Sequence, residues 1–325
     1  MTPVSQEDLE TQPTSSVRTQ DLPITVIMND ASGGGHKPDE RSVIEEILNQ
    51  SGRDAQVWTA RHPRELPVLA HRAAKSRGGI LAGAGGDGTL NAVASVARAL
   101  GLPFGLIPLG TFNYFARQLG IPLTSAAAAT NLVSGVIRPV AIGDVNGHLF
   151  LNNASIGLYR RLLERREIDK RRFGRSRAVA LLSGIAFLLR EHQPYQLVLN
   201  IDKKEVKLST LTVFFGRNAL QMEQLGLDEA LCVARGELAV LALRDVGRPE
   251  LLRLALRGAL ADLESAENLQ QGCASEVRVE RIGGESRQLR VAIDGESILC
   301  RLPLVVRSIP GGLQVVTPEP AGARD

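Results

Sequence analysis

Two hydrophobic rhythms divide this chain. In its first third, residues 24–28, 79–82 and 104–107 are short, largely apolar runs, the pattern of parallel strands buried on both faces. Residues 55–60 read as a further strand. Between them the period lengthens. Val43, Ile44, Ile47 and Leu48 share one face of a helix that opens at Pro38 and Asp39 and runs to about Gln50. Residues 63–76 and 89–100 read as two more helices. Strands alternating with helices imply right-handed crossovers and a parallel sheet. The segments 29–35, 83–88 and 108–113 each follow a strand and so fall at one carboxyl edge, where open α/β sheets bind ligands.

The rhythm changes near Pro139. Residues 140–145 and 148–152 read as two strands joined at Asn146-Gly147 by a type I′ turn. Residues 195–201, 205–215, 237–243, 275–281, 288–293 and 298–306 also read as strands, and 158–190 and 249–263 as helical segments. The expected fold is therefore α/β. A parallel-sheet domain spans residues 22–138. A mainly antiparallel, β-rich domain, read as a sandwich, spans residues 139–306. Residues 1–21 are polar and carry acids, and read as a disordered tail.

Residues 79–91, Gly-Ile-Leu-Ala-Gly-Ala-Gly-Gly-Asp-Gly-Thr-Leu-Asn, form a strand–glycine loop–helix junction. Glycine lets backbone N–H groups approach a ligand, and a helix start at Thr89 adds unpaired N–H groups that favour phosphate. Gly83, Gly85 and Gly88 fit the dinucleotide fingerprint, but no acid follows near residues 102–109 to hold a ribose. A P-loop needs a lysine that Gly88-Thr89 lacks. A carboxylate among phosphates is repulsive unless a divalent cation or a transferable proton sits beside it, so Asp87 points to metal-assisted phosphate chemistry.

The next strand leads into Pro108-Leu-Gly-Thr-Phe-Asn-Tyr-Phe-Ala-Arg117. Gly-Gly-Asp-Gly-Thr-Leu-Asn followed by Pro-x-Gly-Thr-x-Asn-x-Phe-Ala-Arg resembles the diacylglycerol/sphingosine lipid kinase family, particularly its bacterial members. Asn-Asp-Ala-Ser-Gly-Gly at 29–34 is similar to that family's first nucleotide loop, and Asp294-Gly295-Glu296 to its late Asp-Gly-Glu motif. The resemblance implies that residues 22–138 are a nucleotide-binding domain like those of NAD kinase and diacylglycerol kinase, with a last strand within 307–318 returning to it, and that residues 139–306 take the substrate. It implies ATP and Mg²⁺ as cofactors and phosphoryl transfer to a lipid hydroxyl. Asn29, Ser32, Gly33, Gly85, Gly86, Gly88, Thr89, Gly110, Thr111 and Asn113 would then hold or border the nucleotide. Asp87 would bind Mg²⁺ or orient the acceptor, and Asp294 with Glu296 would form the catalytic pair, Asp294 as general base. Asp294-Gly295 also suits an ordinary hairpin turn, and Asn113 suits a helix cap. Residues 152–157 are similar to the family's Asn-x-Ala-x-x-Gly segment, and suit equally a strand end.

Two departures stand out. Tyr114 occupies a place where many members carry an acid, toward the acceptor. Residues 234–239, Ala-Arg-Gly-Glu-Leu-Ala, correspond to an acidic segment that holds a structural Mg²⁺ in many bacterial members. A cation at Arg235 opposes such a site, which is expected to be absent. Kinase action on a soluble substrate, as in NAD kinases, and a nucleotide-binding regulator without turnover remain alternatives.

The 325 residues suffice for two domains, and 44% hydrophobic content is that of a globular protein. Three cysteines, Cys232, Cys273 and Cys300, lie far apart without motif spacing, which suggests reduced thiols and a cytoplasmic setting. No run of 18 apolar residues predicts a membrane span. Residues 160–177 hold nine cations and three acids, a local +6 in a chain of net +3. An anionic membrane is the partner this stretch suits, at the inner face, where a lipid substrate would be met. No nucleic-acid partner is expected, and a homodimer stays open.

Overall fold

The computed structural model describes residues 17–18, 22–29, 40–157, 194–224, 230–247, 249–250, 268–283 and 287–319. Ser32 and Gly33, the basic stretch 160–177, the helical segment 158–190 and nearly all of 249–263 lie outside the described residues.

In chain order the first half comprises β1 (Val17–Arg18), β2 (Ile24–Asn29), α1 (Glu40–Gln50), β3 (Ala55–Ala60), a 3₁₀ turn (Pro63–Glu65), α2 (Leu66–Arg77), β4 (Ile80–Gly85), α3 (Asp87–Leu100), β5 (Phe104–Pro108), α4 (Tyr114–Gln118) and α5 (Ser125–Ser134). Strands β5-β4-β2-β3 pair in parallel in that order. Their residues alternate between two helical layers. Ile27, Leu81 and Leu106 pack with Val93 and Ala97 of α3 and Ala70 and Ala73 of α2. Val26, Ile80, Ala82 and Ile107 pack with Ile44 and Leu48 of α1 and Leu132 of α5. Burial on both faces is why β2, β4 and β5 read as largely apolar runs.

The second half comprises β6 (Val136–Val145), β7 (His148–Phe150), β8 (Asn153–Gly157), β9 (Tyr195–Ile201), β10 (Lys204–Gly216), α6 (Ala219–Gln224), α7 (Ala230–Ala234), β11 (Leu238–Arg244), β12 (Leu269–Ala274), β13 (Glu276–Arg281), β14 (Gln288–Ile293), β15 (Glu296–Arg301) and β16 (Leu304–Thr317). Asn146 and Gly147 both have positive φ, as the expected type I′ turn requires. The antiparallel strands enclose a second core around Phe150, Phe215, Val240, Val279 and Val306. β10 serves two layers by changing partners. Residues 204–210 pair with β9, and residues 212–216 with β8 and β11.

β16 joins the halves. It pairs with β13 and β6, and Val315 pairs in parallel with Phe104 of β5. The register against β6 shifts between Ile309 and Leu313, across Pro310-Gly311-Gly312. Those residues read as a break between strands at 298–306 and 312–316, the first of which divides at Leu302-Pro303 between β15 and β16. A bulge instead carries one strand across, because Pro needs no donor partner there and Gly311 takes positive φ.

Three further expectations are corrected. Val17–Arg18, inside the presumed tail, pair with Ile137 and Val136. The strand expected at 275–281 forms as β13, but β12 before it was not expected, because the polar Gln270-Gln271 hid it. The thiols expected to be reduced are in part joined: Cys232 and Cys273 form a disulfide, with Cys300 buried and free. Forty-one residues separate the pair in sequence. The β11–β12 ladder sets Cys273 opposite Ala239, and the turn from α7 into β11 returns Cys232 to the same cluster as Met222.

Candidate active site

The register of the parallel strands aligns their carboxyl ends. Gly85 stands opposite Pro108, and Met28 opposite Ala84, so Asn29 ends β2 beside Gly85. Leu109 N–H donates to Gly85 O at 2.9 Å and ties the second loop to the first. The junction is tighter than the expected loop 83–88. β4 continues through Gly85 and α3 begins at Asp87, leaving Gly86 as the helix cap. Thr89 lies in the first turn of α3, nearly buried, with its side chain against Gly85. It closes the junction from beneath, and the helix opens two residues before the expected start.

The two glycine motifs meet backbone to backbone. A Cβ on Gly110 would lie 2.8 Å from Gly86 Cα and 2.8 Å from Asn113 Oδ1. Asn113, in the left-handed region at φ 51°, shapes this loop. Its Oδ1 accepts from Gly110 N–H at 3.1 Å and its Nδ2 donates to Gly110 O at 2.9 Å. It precedes α4 but makes no side-chain cap bond there. Gly110→Ala is therefore expected to cost about 1–3 kcal/mol of stability, since both neighbours are fixed. Thermal melting checks this, and an unchanged melting temperature contradicts it.

Asp87 opens α3 with one carboxylate oxygen committed to nothing. Its Oδ1 is buried without a hydrogen-bond partner. The Asn152 side chain and the backbone N–H groups of Asn113 and Asp87 donate to the carboxylate. Burial, then the charge of Asp294, push the Asp87 carboxyl up to about 6. The native state thus binds the proton more tightly than the unfolded chain. In the protein alone, stability is full below about pH 4 and falls as pH rises through about 6, by on the order of 2–3 kcal/mol. Denaturation of wild type and Asp87→Asn across this range checks the sign, because the decline should vanish from the difference if another group causes it.

Asp294 is held differently. It sits at φ 45° in the turn between β14 and β15, followed by Gly295 at φ 93°. Oδ1 accepts from Asn152 and Asn153 N–H at 2.8 and 3.0 Å. Oδ2 accepts from Leu151 N–H and Asn91 Nδ2, both at 2.7 Å. Burial pushes this carboxyl up, and these four donors pull it down. Glu296 begins β15 with Oε1 facing Gly88: a Cβ there would lie 3.1 Å from it. Partial desolvation beside the site, then the Asp294 charge, raise the carboxyl of Glu296, although the residue as a whole is exposed.

Asp87, Gly85, Gly86, Gly88, Gly110, Asn113, Asp294 and Glu296 thus share one region, and Asn29 ends the adjacent strand. Thr111 is exposed on the second loop. Phe112, exposed beside it, stacks on Tyr114 at 5.6 Å between ring centroids. Burial, then the Asp87 charge, raise the Tyr114 hydroxyl, so this departure from the resembled pattern stands beside the central carboxylate. Sequence reasoning gave no role to Asn91, which also donates to Leu149 O at 3.1 Å. Its spacing four residues after Asp87, on one helix face, was the available signal. It also missed an amide relay. Asn218 Nδ2 donates to Asn152 Oδ1 at 3.1 Å, Gln221 N–H to Asn218 Oδ1 at 3.1 Å, and Asn153 Nδ2 to Gln221 Oε1 at 2.9 Å.

Among the described residues no three His, Cys, Asp or Glu side chains gather to hold a metal. A single carboxylate with an orphaned oxygen nonetheless fits Mg²⁺, which takes one or two protein carboxylates and completes its shell with phosphate oxygens and water.

Residues 23–145 match the diacylglycerol kinase catalytic domain. A Pseudomonas aeruginosa protein named "Probable lipid kinase YegS-like" is 35% identical over 142 residues, 43% of this chain and 44% of its own. A diacylglycerol kinase of Bacillus subtilis is 34% identical over 135 residues, 41% of this chain and 45% of its own. These matches span less than half the length of either relative. A diacylglycerol kinase of Mycobacterium tuberculosis is 28% identical over 285 residues, covering 84% of this chain and 85% of its own. A diacylglycerol kinase structure from Bacillus anthracis superposes with a TM-score of 0.68 at 19% identity, over 95% of this chain and 99% of that one, a likeness of fold. In agreement with the two glycine motifs, residues 23–145 match the diacylglycerol kinase catalytic domain in sequence, and the chain resembles the diacylglycerol kinases in fold.

Proposed function

We propose that this protein transfers the γ-phosphoryl group of ATP to a lipid hydroxyl such as that of diacylglycerol. The observation that carries this reading is the orphaned, buried Oδ1 of Asp87 at a glycine-walled helix start, facing the Asp294–Glu296 turn. The first turn of α3 offers backbone N–H groups and the positive end of its dipole to phosphate. Gly86 and Gly110 keep that approach open. Asp87 is the residue that would hold Mg²⁺, which when bound neutralises phosphate charge.

In the transfer, the acceptor oxygen bonds to the γ-phosphorus. The bond from that phosphorus to the β–γ bridging oxygen breaks, and ADP leaves with the electron pair. The acceptor proton passes to a carboxylate. Asp294 was expected to take it. Its four hydrogen bonds occupy both oxygens, whereas Glu296 has an oxygen toward Gly88, so we assign the proton to Glu296 and the anchoring of the turn to Asp294. The test is incubation with labelled ATP and Mg²⁺ against lipid extract, NAD or buffer. Label in a lipid product is expected. Label in NAD alone, or none with ATP bound, overturns the reading.

No helix among the described residues is long and apolar enough to cross a membrane. Docking on anionic lipid through residues 160–177 belongs to the same reading. Co-sedimentation with anionic vesicles should weaken at high salt and drop when Arg165, Arg166, Arg171 and Arg172 become Ala. Equal binding to neutral vesicles contradicts it.

A further inference from the structure

Away from the glycine loops, the Cys232–Cys273 disulfide ties α7 to β12. Its two sulfurs stand in unlike surroundings. Cys232 is buried with Phe214 and Met222. Cys273 is half-buried on β12, a strand that pairs with β11 alone among the described strands. Arg235, exposed beside it, donates from Nη2 to Cys273 Sγ at 2.9 Å, and its Nε lies 3.3 Å from Glu237 Oε2. A guanidinium at a reachable sulfur favours the thiolate, the form that reacts with oxidants. One sulfur is thus placed to react, and the other to close on it.

What α7 holds leads back to the site. Val233, next to Cys232, accepts from Arg217 Nη1 at 3.1 Å, the one hydrogen bond of that guanidinium among the described residues. Arg217 is 4% exposed and its Nε is buried without a partner, and burial pushes the guanidinium down to about 10. A buried cation resting on one carbonyl follows that carbonyl or moves toward water, because leaving it unbonded is costly. The backbone of the same residue is committed to the site: Arg217 N–H donates to Asn152 O at 2.7 Å. Asn218 Nδ2 holds Asn152 Oδ1 at 3.1 Å. Asn152 in turn donates its side chain to Asp87 and its N–H to Asp294.

We propose that Cys232 and Cys273 are a reversible redox pair, oxidised by hydroperoxides and reduced by dithiols, whose oxidised form fixes α7 and through Arg217 holds Asn152 at the two carboxylates. The consequence for turnover rests on the lipid-kinase reading. The consequence for the backbone does not.

In the oxidation, the Cys273 thiolate attacks one peroxide oxygen, the O–O bond breaks and hydroxide leaves, giving a sulfenic acid. The Cys232 sulfur then attacks Cys273 Sγ, the S–O bond breaks and water leaves with the Cys232 proton. Two thiols lose two electrons, and hydrogen peroxide gains them. A dithiol reverses this in two exchanges and becomes a disulfide itself.

The test takes the full chain in two states, reduced with dithiothreitol and then reoxidised with equimolar hydrogen peroxide. Maleimide labelling after denaturation should mark all three cysteines in the first and Cys300 alone in the second. Amide hydrogen exchange over residues 151–153 and 214–218 should be at least about tenfold faster in the reduced protein. Its melting temperature should fall by about 5 °C or more. Turnover on a lipid extract should fall at least about fivefold and return on reoxidation. Cys232→Ser should match the reduced protein under both treatments, and Cys300→Ser should respond as wild type does. Arg235→Gln should slow disulfide formation at least about fivefold. Three free thiols after peroxide overturn the proposal, as does exchange at residues 151–153 and 214–218 that is equal in the two states. A rate of formation that Arg235→Gln leaves unmoved overturns the assignment of Cys273 as the reacting sulfur. If neither state phosphorylates lipid, the kinase reading fails, and the redox pair is still decided by labelling and exchange.

Discussion

Asp87→Asn is expected to lower turnover at least about a hundredfold while the protein stays folded. The substitution keeps the shape of the side chain and removes the charge that a cation requires. Asp87 does little for packing: one oxygen is buried with no partner, and burial with the Asp294 charge already holds its carboxyl at about 6. Ionised Asp87 is therefore a cost to the folded chain at neutral pH, on the order of 2–3 kcal/mol, and the amide should relieve part of it. The expected signature is a protein more stable than wild type above about pH 6 and nearly inactive. Turnover above about a tenth of wild type would remove Asp87 from the centre of the chemistry.

Asp294→Asn and Glu296→Gln should fail in different ways. In Asp294 all four hydrogen bonds run from donors to carboxylate oxygens. An amide turns one oxygen into a donor facing donors, and each buried N–H left unpaired costs about 1–3 kcal/mol. Asparagine tolerates the φ of 45° at this turn, so the loss reports the hydrogen bonds rather than the backbone. Asp294→Asn should thus lose on the order of 2–5 kcal/mol of stability together with activity. Glu296 is exposed and starts a strand, so Glu296→Gln should melt within a few degrees of wild type while turnover falls about 10²–10⁴-fold. Melting curves and kcat for both variants decide the assignment. A stable Asp294→Asn with lost turnover, beside an active Glu296→Gln, would return the base to Asp294.

The first half of the fold was legible because its strands are buried on both faces and its helices on one, so period alone separated them. Local turn chemistry was legible too: Asn146-Gly147 takes the expected positive φ values. What escaped had non-local causes. The disulfide depends on a ladder between β11 and β12, and β12 itself is hidden by the polar Gln270 and Gln271. The unbroken course of β16 depends on a bulge that only a partner strand makes favourable. In the site, the glycine motifs pointed to two loops, and the structure brings those loops together at Gly86 and Gly110. They could not indicate that Asn91 and three backbone N–H groups converge on Asp294, because those bonds span 141 to 203 residues.

The most direct test is a crystal structure with Mg²⁺ and a non-hydrolysable ATP analogue. The predicted result is a nucleotide whose β- and γ-phosphates lie at the Gly86–Gly110 contact, with Mg²⁺ about 2.0–2.1 Å from an Asp87 oxygen and no metal at residues 234–238. A nucleotide bound away from both glycine loops, or a metal held without Asp87, would contradict it.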